Sequence, residues 1–557
     1  MFLLPSNTRA PYHAVVLTLQ LAAVLAAPPN IDASLTAPSV TLDHGHFIGT
    51  TDGTSNRFLG IPYAKPPTGE LRLRLPVLNN PYTGSHPSTD FGPSCPQKST
   101  NLTIPPGPGL DALIAITAAL GGSITSEDED CLTLNVWTPA KRNAGAKLPV
   151  AVWLHGGGFQ TGGSSTYNGA VIVNRSVALE EPIIYVSINY RLSGCFGFLA
   201  SKQVKDAGLG NLGLHDQRLA LQWVQKYIHA FGGDPTKVTL FGESAGAVSA
   251  SIHMITSNEH PPLFRAAFME SGAPVPVGDI EHAQPWYDDI VEHAGCAGAR
   301  DTLQCLRETP FEKLKAAMDR SPGTLSYQSL NLAWTPRVDG VFLRDTPENL
   351  VVKGDFARIP FVNGNCDDEG TLFALPSLNV TNEEQLRGYL KEYFLPSVSP
   401  TELDRVLALY SGDVTQGSPY DTGTQNALTP EFKRISSLLG DMFFQGPRRF
   451  LLEHRAGKQK SWSYLSKRMK TLPTLGSGHT TELFNIYGPG DLTDYFVRFV
   501  NHLDPNGPDD LFWPQYDART ARLLTLVDGV RTQLVREDTY RKEGMGLLVR
   551  LLREHPL

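Results

Sequence analysis

Val238-Thr-Leu-Phe-Gly-Glu-Ser-Ala-Gly-Ala-Val248 is the stretch on which the fold turns. Val238 to Phe241 are apolar or β-branched and read as a buried strand. Gly242 and Gly246 bracket Ser244, and Ala245, Ala247 and Val248 suit a helix packed closely behind it. This is a G-x-S-x-G nucleophile elbow. The strand turns into the helix so tightly that positions two away from the serine must lack a side chain. The serine hydroxyl is thereby lifted above the sheet edge, beside the first amides of a helix. As a bare pattern it arises easily in a chain with 51 glycines. Its place after a strand run and before a small-residue helix makes it specific.

Working outward, Val150 to Leu154 is a strand that runs into His155-Gly156-Gly157-Gly158-Phe159. Three consecutive glycines free backbone N–H groups to converge on a small anion, the HGGG-type loop of serine esterases. Leu132 to Trp137, Glu181 to Tyr190 and Arg265 to Met269 read as further strands, and Leu214 to Ile228 as an amphipathic helix. Strands and helices thus alternate from about residue 130 to 275, the pattern of a largely parallel sheet with helices on both faces. Val40 to Ile48 and Arg57 to Ile61 are short early strands, and Ile359 to Val362 and Ser461 to Leu465 late ones. Phe432 to Met442 reads as helix, and the last 70 residues, including Ala518 to Leu534, as peripheral helices. With no repeats and no linker outside one glycine- and proline-rich loop, residues 28–557 form a single domain.

The formal charge is -8, from 48 Lys and Arg against 56 Asp and Glu, which excludes a general attraction to nucleic acid or anionic lipid. Residues 1–27 have the layout of a secretory signal peptide, with Arg9, a mostly apolar run from Ala14 to Leu25, and Ala26-Ala27 before Pro28. No later run reaches the ~18 apolar residues of a membrane span. The expected location is extracellular, where Cys95, Cys131, Cys296 and Cys305 are disposed to form disulfides. Cys195 and Cys366 have no evident partner. No spacing suits a metal site, and no cofactor is expected. Sequons at Asn101, Asn174 and Asn379 fit a glycosylated surface.

Between Cys95 and Cys131 lies Leu110-Asp-Ala-Leu-Ile-Ala-Ile-Thr-Ala-Ala-Leu120, apolar at nearly every position and flanked by glycines. One reading is a buried helix. The other is a lid, about residues 96–130, hinged by glycines over a ligand pocket.

An exposed serine is a poor nucleophile unless a base takes its proton, and the base needs an acid on its other nitrogen. In this architecture both follow the serine, acid first. Asp367, Asp368 and Glu369 compete for the acid role, since all three leave the same strand. His479, in the loop Gly476-Ser-Gly-His-Thr480, and His502 compete for the base.

The chain resembles the carboxylesterase type B family, the cholinesterase and fungal-lipase group, over nearly all of its length after the leader. The resemblance rests on Phe58-Leu-Gly-Ile-Pro-Tyr-Ala64, Glu129-Asp-Cys-Leu-Thr-Leu-Asn-Val136, His155 to Phe159, and Gly210-Asn-Leu-Gly-Leu214 with Asp216-Gln217. It continues through Phe241 to Gly246, Asp368-Glu-Gly370, and Gly478-His479 followed by Glu482-Leu483 and Gly488. It implies an α/β-hydrolase fold and a triad of Ser244, Glu369 and His479. It also implies oxyanion amides from Gly157, Gly158 and Ala245, and bridges Cys95–Cys131 and Cys296–Cys305 around a disulfide-based lid loop. The chain looks most similar to secreted fungal lipases, because no tryptophan lies between Cys95 and Cys131. The expected substrates are long-chain esters, triacylglycerols and sterol esters, met at a lipid–water interface by a monomer or homodimer. The alternatives are a carboxylesterase of soluble short-chain esters and a non-catalytic adhesion protein. The last requires a broken triad, and all three residues are present.

Overall fold

The computed structural model describes residues 36–99, 126–143, 145–256, 262–488, 490–508, 510–530 and 532–557. The leader, the segment Leu110 to Leu120 and the sequon at Asn101 lie outside the described residues.

Fourteen strands occur among the described residues. Three build a small separate sheet in the order β1 (Ser39–Leu42), β2 (His44–Ile48), β5 (Thr83–Pro87). The other eleven form one sheet. They are β3 (Thr50–Thr51), β4 (Ser55–Pro62), β6 (Thr133–Pro139), β7 (Leu148–Leu154), β8 (Ile184–Ile188), β9 (Gly233–Glu243), β10 (Ala266–Glu270), β11 (Phe361–Cys366), β12 (Ser461–Lys467), β13 (Arg522–Val527) and β14 (Gln533–Glu537). Their order is β14-β13-β12-β11-β10-β9-β7-β8-β6-β4-β3. Neighbours from β8 to β13 run parallel, and pairing is antiparallel only toward the two edges.

The period-2 pattern of the strands divides the core into two layers. Val150, Val152, Leu154, Val186 and Leu240 join one cluster, with the helix Leu212–Tyr227 over it through Leu214, Ala220, Trp223 and Val224. Ala151, Trp153, Tyr185 and Phe241 point the other way, against Leu492, Tyr495, Phe496, Phe499 and Val500 of the helix Asp491–His502. Each such side chain contributes ~1.5–3 kcal/mol by leaving water, so a sheet covered on both faces is strongly favoured over one that is not. A third cluster is built from helices and the loops between them, with no strand residue in it. It includes Phe432, Leu438, Met442, Leu548 and Leu552.

The elbow and the glycine loop arise where the chain changes direction across the sheet. After β7 it adds β8 on one side, then returns to lay β9 on the other side of β7. Such a switch point opens a crevice at the carboxyl ends of the strands. Here the ends are Leu154 and Glu243.

One expectation is corrected. Ala518 to Leu534 is not helical, because Arg522–Val527 and Gln533–Glu537 form the antiparallel edge pair β13–β14. The helix expected over Phe432 to Met442 is Phe432–Gly440, and it continues through a π-helical turn, Asp441–Gln445, into Gly446–Arg455. Cys195 sits in a π-helical turn, Ser193–Gly197. The bridges Cys95–Cys131 and Cys296–Cys305 are formed, with Cα atoms 5.0 and 5.7 Å apart. Cys195 and Cys366 are buried free thiols. Asn379 is exposed, whereas Asn174 is half-buried with its amide oxygen shut off from water. Of these two sequons, Asn379 presents the accessible acceptor.

Candidate active site

Ser244 has φ +54°, a left-handed conformation that β9 and the helix Ala245–Thr256 force on it from either side. Its N–H donates to the carbonyl of Glu270 on β10 (2.9 Å), and its carbonyl receives Val248 N–H (2.9 Å). All twelve residues of the following helix are buried, which explains its small side chains. A Cβ on Gly246 would lie 1.8 Å from the Leu154 carbonyl oxygen, and one on Gly242 2.6 Å from the Gly246 carbonyl carbon. Both glycines are therefore steric requirements of bringing β7, β9 and the helix together.

Beyond Leu154 the chain enters the glycine loop. Gly157 has φ +104°, and a Cβ there would meet the Thr161 carbonyl oxygen at 2.1 Å. Its own carbonyl accepts from Gln160 N–H and Thr161 N–H, both at 3.0 Å, which curls the loop over. Among the described residues, the N–H groups of Gly157, Gly158 and Ala245 donate to no backbone carbonyl. They remain available to an external oxygen. His155, the first residue of the motif, stacks on Tyr190 at 4.4 Å, and its Nδ1 is bonded to Gly156 O (2.9 Å). Burial lowers its pKa to about 4, although the Gly156 bond opposes this, so it supports the loop as a neutral ring.

The structure brings Glu369 and His479 together. His479 Nδ1 is 2.5 Å from Glu369 Oε2, and Glu369 Oε1 accepts from Cys366 N–H (2.8 Å) and Asn365 Nδ2 (3.0 Å). Both side chains are buried. The imidazole lies against Phe373 and Phe444, with ring centroids at 5.1 and 4.6 Å. Its Nε2 has no hydrogen-bond partner and faces the cavity wall that Ser244 and Glu243 also line. The competing residues lie elsewhere. Asp367 pairs with Lys467 and Lys470. Asp368 accepts from Ser418 Oγ, Tyr420 N–H, Ser477 N–H and Lys470 Nζ, which ties the histidine loop to β11. His502 is 58% exposed and pairs with Glu181.

Further carboxyls lie against the imidazole or beside those that do, and the residue pattern assigned them no role. Glu243 Oε1 is 3.2 Å from His479 Nε2. Glu482 accepts from Ser271 Oγ, and from the Cys366 thiol at 2.7 Å. Glu270 is fully buried, and neither of its oxygens has a partner. Burial pushes the pKa values of Glu243, Glu270 and Glu482 upward. Burial alone would depress His479, but Glu243 and then Glu369 outweigh it and raise the imidazole to about 9. Glu243 and His479 are thus both shifted toward holding a proton. The only sequence signal for Glu243 is its place as the first variable position of G-x-S-x-G, where no side-chain identity is demanded.

A cavity of about 820 Å³ opens over this constellation, walled by Ser244, His479, Leu325, Leu330, Leu372 and Leu375 among others. Nucleophile, base and the amides of Gly157 and Gly158 at one cavity wall, with the acid bonded behind the base, are the parts that acyl transfer needs. Among the described residues no group of acids, histidines or cysteines is placed to hold a metal. No helix among them is long and apolar enough to cross a membrane.

Known proteins agree with this chemistry. A model of the carboxylesterase family matches residues 36–542. Lipase 4 of Diutina rugosa is 43% identical over 516 residues, covering 89% of this chain and 92% of that protein. A secreted triacylglycerol lipase of Gibberella zeae is 37% identical over 547 residues, 94% of this chain and 91% of that protein. The crystal structure of Aspergillus niger EstA superposes with a TM-score of 0.77 at 26% identity, covering 93% of this chain and 98% of that one, which gives the sheet and its flanking helices as an α/β-hydrolase fold. The chain belongs to the carboxylesterase family and is a serine ester hydrolase of its lipase and esterase group.

Proposed function

We propose that the chain is a secreted lipase that hydrolyses water-insoluble carboxylic esters of long-chain fatty acids, triacylglycerols and sterol esters among them. The domain is 28–557, released from the leader 1–27, and 96–130 acts as its lid, stapled at the base by Cys95–Cys131. His479 takes the proton of Ser244 as the serine oxygen attacks the ester carbonyl. The oxyanion rests on the amides of Gly157, Gly158 and Ala245, one such donor commonly contributing ~3 kcal/mol. Glu369 holds the imidazole in the tautomer that leaves Nε2 free, and steadies it once charged. His479 then gives the proton to the departing alcohol. Water repeats the sequence to release the acid.

One observation carries the substrate reading. The 820 Å³ cavity over Ser244 is rimmed by Leu325, Leu330, Leu372, Leu375 and Leu378, too much apolar wall for a small soluble ester to need. The likeness to relatives named as lipases supports it. A carboxylesterase of soluble short-chain esters is the second reading, and a much smaller apolar pocket on the far side of Ser244 favours it. The initial-rate ratio of a long-chain emulsion to a soluble short-chain ester separates them. A rate that climbs as the long-chain ester passes its solubility limit is the lipase outcome. A rate dominated by the short ester, with no climb, overturns it.

A further inference from the structure

The amides of the glycine loop are aimed by its carbonyls. A peptide unit is planar and trans, so each N–H points opposite the carbonyl of the residue before it. The Gly157 N–H is therefore aimed by Gly156 O, and the Gly158 N–H by Gly157 O. Gly157 O accepts from the N–H groups of Gln160 and Thr161 and from Thr161 Oγ1 (3.2 Å). Gly156 O is bonded to His155 Nδ1 and also lies against the α-carbon of Gly162, where a Cβ would be 2.7 Å from it. Gly162 has φ +108°, which favours glycine there as well. The direction of both amides thus depends on where residues 160–162 are held.

They are held from outside the loop by Gln97. Its side-chain amide pairs with both backbone groups of Gly162, Nε2 donating to Gly162 O (2.6 Å) and Oε1 accepting from Gly162 N–H (3.0 Å). The next residue, Lys98, donates its N–H to Gln160 O (2.9 Å). Gln97 is itself fixed, two residues beyond Cys95 and its bridge to Cys131. Its N–H donates to Glu127 Oε2 (3.2 Å), and its carbonyl accepts from Lys315 Nζ (2.9 Å). The wall of the large cavity includes Gly157 and Gly158 but not Gln97, so this side chain acts on the substrate only through the loop.

We propose that Gln97 is a positioning residue of the oxyanion hole, holding Gly162 so that the Gly157 and Gly158 N–H groups converge on the oxygen that becomes charged. The inference rests on acyl transfer at Ser244. A misdirected amide weakens the hold on the transition state more than on the bound ester, because the charge to be met is present only in the former.

Aim and fold stability are separated by titration. Wild type, Gln97→Leu and Gln97→Glu are titrated to completion with a fluorophosphonate, and kcat and KM for p-nitrophenyl butyrate are expressed per titrated serine. The inhibition constant of a trifluoromethyl ketone, whose adduct with the serine carries an oxyanion, is measured on the same preparations. Gln97→Leu should lower kcat about 10- to 100-fold with KM within about twofold, and weaken the ketone by the same factor as kcat/KM. Gln97→Glu keeps the acceptor for Gly162 N–H and loses the donor to Gly162 O, so its fall should be smaller, about fivefold. It carries the test if the leucine variant does not fold. A side chain that only stabilised the fold would lower the melting temperature and leave kcat per titrated serine unchanged. That outcome in every variant that folds, or a fall in kcat that the ketone does not share, overturns the inference. Failure of acyl transfer at Ser244 is distinct, because the wild type itself would then not be labelled there by the fluorophosphonate.

Discussion

Two groups of charged side chains are shut off from water in this protein, and they are built on opposite terms. In the first, Asp538 accepts from Arg448 through both oxygens (2.8 and 2.9 Å), from Arg449 (2.7 Å) and from Tyr516 (3.2 Å). Arg448 also donates to Asn365 and Ser463. Burial alone would raise the Asp538 carboxyl, but Arg448 and Arg449 outweigh it and hold it well below the usual range. In the second group, Glu243, Glu369 and Glu482 crowd one imidazole, and Glu270 interacts with Glu243 and Glu482 with neither of its oxygens hydrogen-bonded. Asn365 joins the two groups, receiving Arg448 Nε on its oxygen and donating from its amide to Glu369. A cluster whose lone pairs are all used holds its geometry and does no chemistry. A cluster with surplus carboxyls costs stability but strengthens the hold of the imidazole beside the serine on a proton.

The contrast can be broken at its strongest point first. Ser244→Ala should leave the fold intact and lower turnover by up to about 10⁶-fold, in line with other serine hydrolases. Turnover by the purified variant within about tenfold of the wild type would show that the crowded carboxyls serve no serine. Glu369→Gln should cost about 10⁴-fold in kcat, because an amide in that place presents the wrong partner to Nδ1. A loss of only a few-fold would make Glu369 one more carboxyl of the crowd.

In the satisfied group the expected loss is of stability. Arg448→Met leaves Asp538 buried with part of its pairing removed, a cost of about 3–5 kcal/mol. It is read as a lowered urea midpoint, and an unchanged midpoint would show that the network is not holding the sheet edge. The stabilisation by Asp538 should persist above the ordinary carboxylate range and fade only as acid protonates it.

Smaller effects sharpen the comparison through pH. Catalysis needs neutral His479, so kcat/KM should rise with pH through a pKa near 9. Glu243→Gln removes the strongest influence raising the imidazole, and the ascending limb should move to lower pH. A limb that stays in place would mean that Glu243 keeps its proton and exerts no pull. Last, burial holds the Glu270 carboxyl well above the ordinary carboxylate range and unfolding releases it, so stability falls as pH rises above that range. Glu270→Gln should flatten that fall, which melting temperatures between pH 6 and 9 would detect.

The elbow, the glycine loop, the parallel core strands and the loop holding His479 were legible because each has a local cause. A tight turn demands glycine, and a doubly covered strand demands an unbroken apolar run. What decided among Asp367, Asp368 and Glu369 was not local. The three face Lys467 and Lys470, the 418–420 loop, and the imidazole respectively, partners 50 or more residues away in the chain. Likewise Arg522–Val527 and Gln533–Glu537 mix leucine, valine, arginine and glutamine, which suit a helix as well as a strand, and pairing with β12 settled the matter. The surplus carboxyls escaped notice because a glutamate's burial is a property of the assembled layers.

β9 is the sixth of eleven strands, with five on either side. Loss of order in a sheet starts where backbone groups are least protected, at its margins and in the segments laid over it. On warming, β3 and β14 should therefore fray while the serine still stands at its post, and inactivation should coincide with collapse of the whole domain. An enzyme arranged in this way gives no early warning: it works at nearly full strength until it fails altogether.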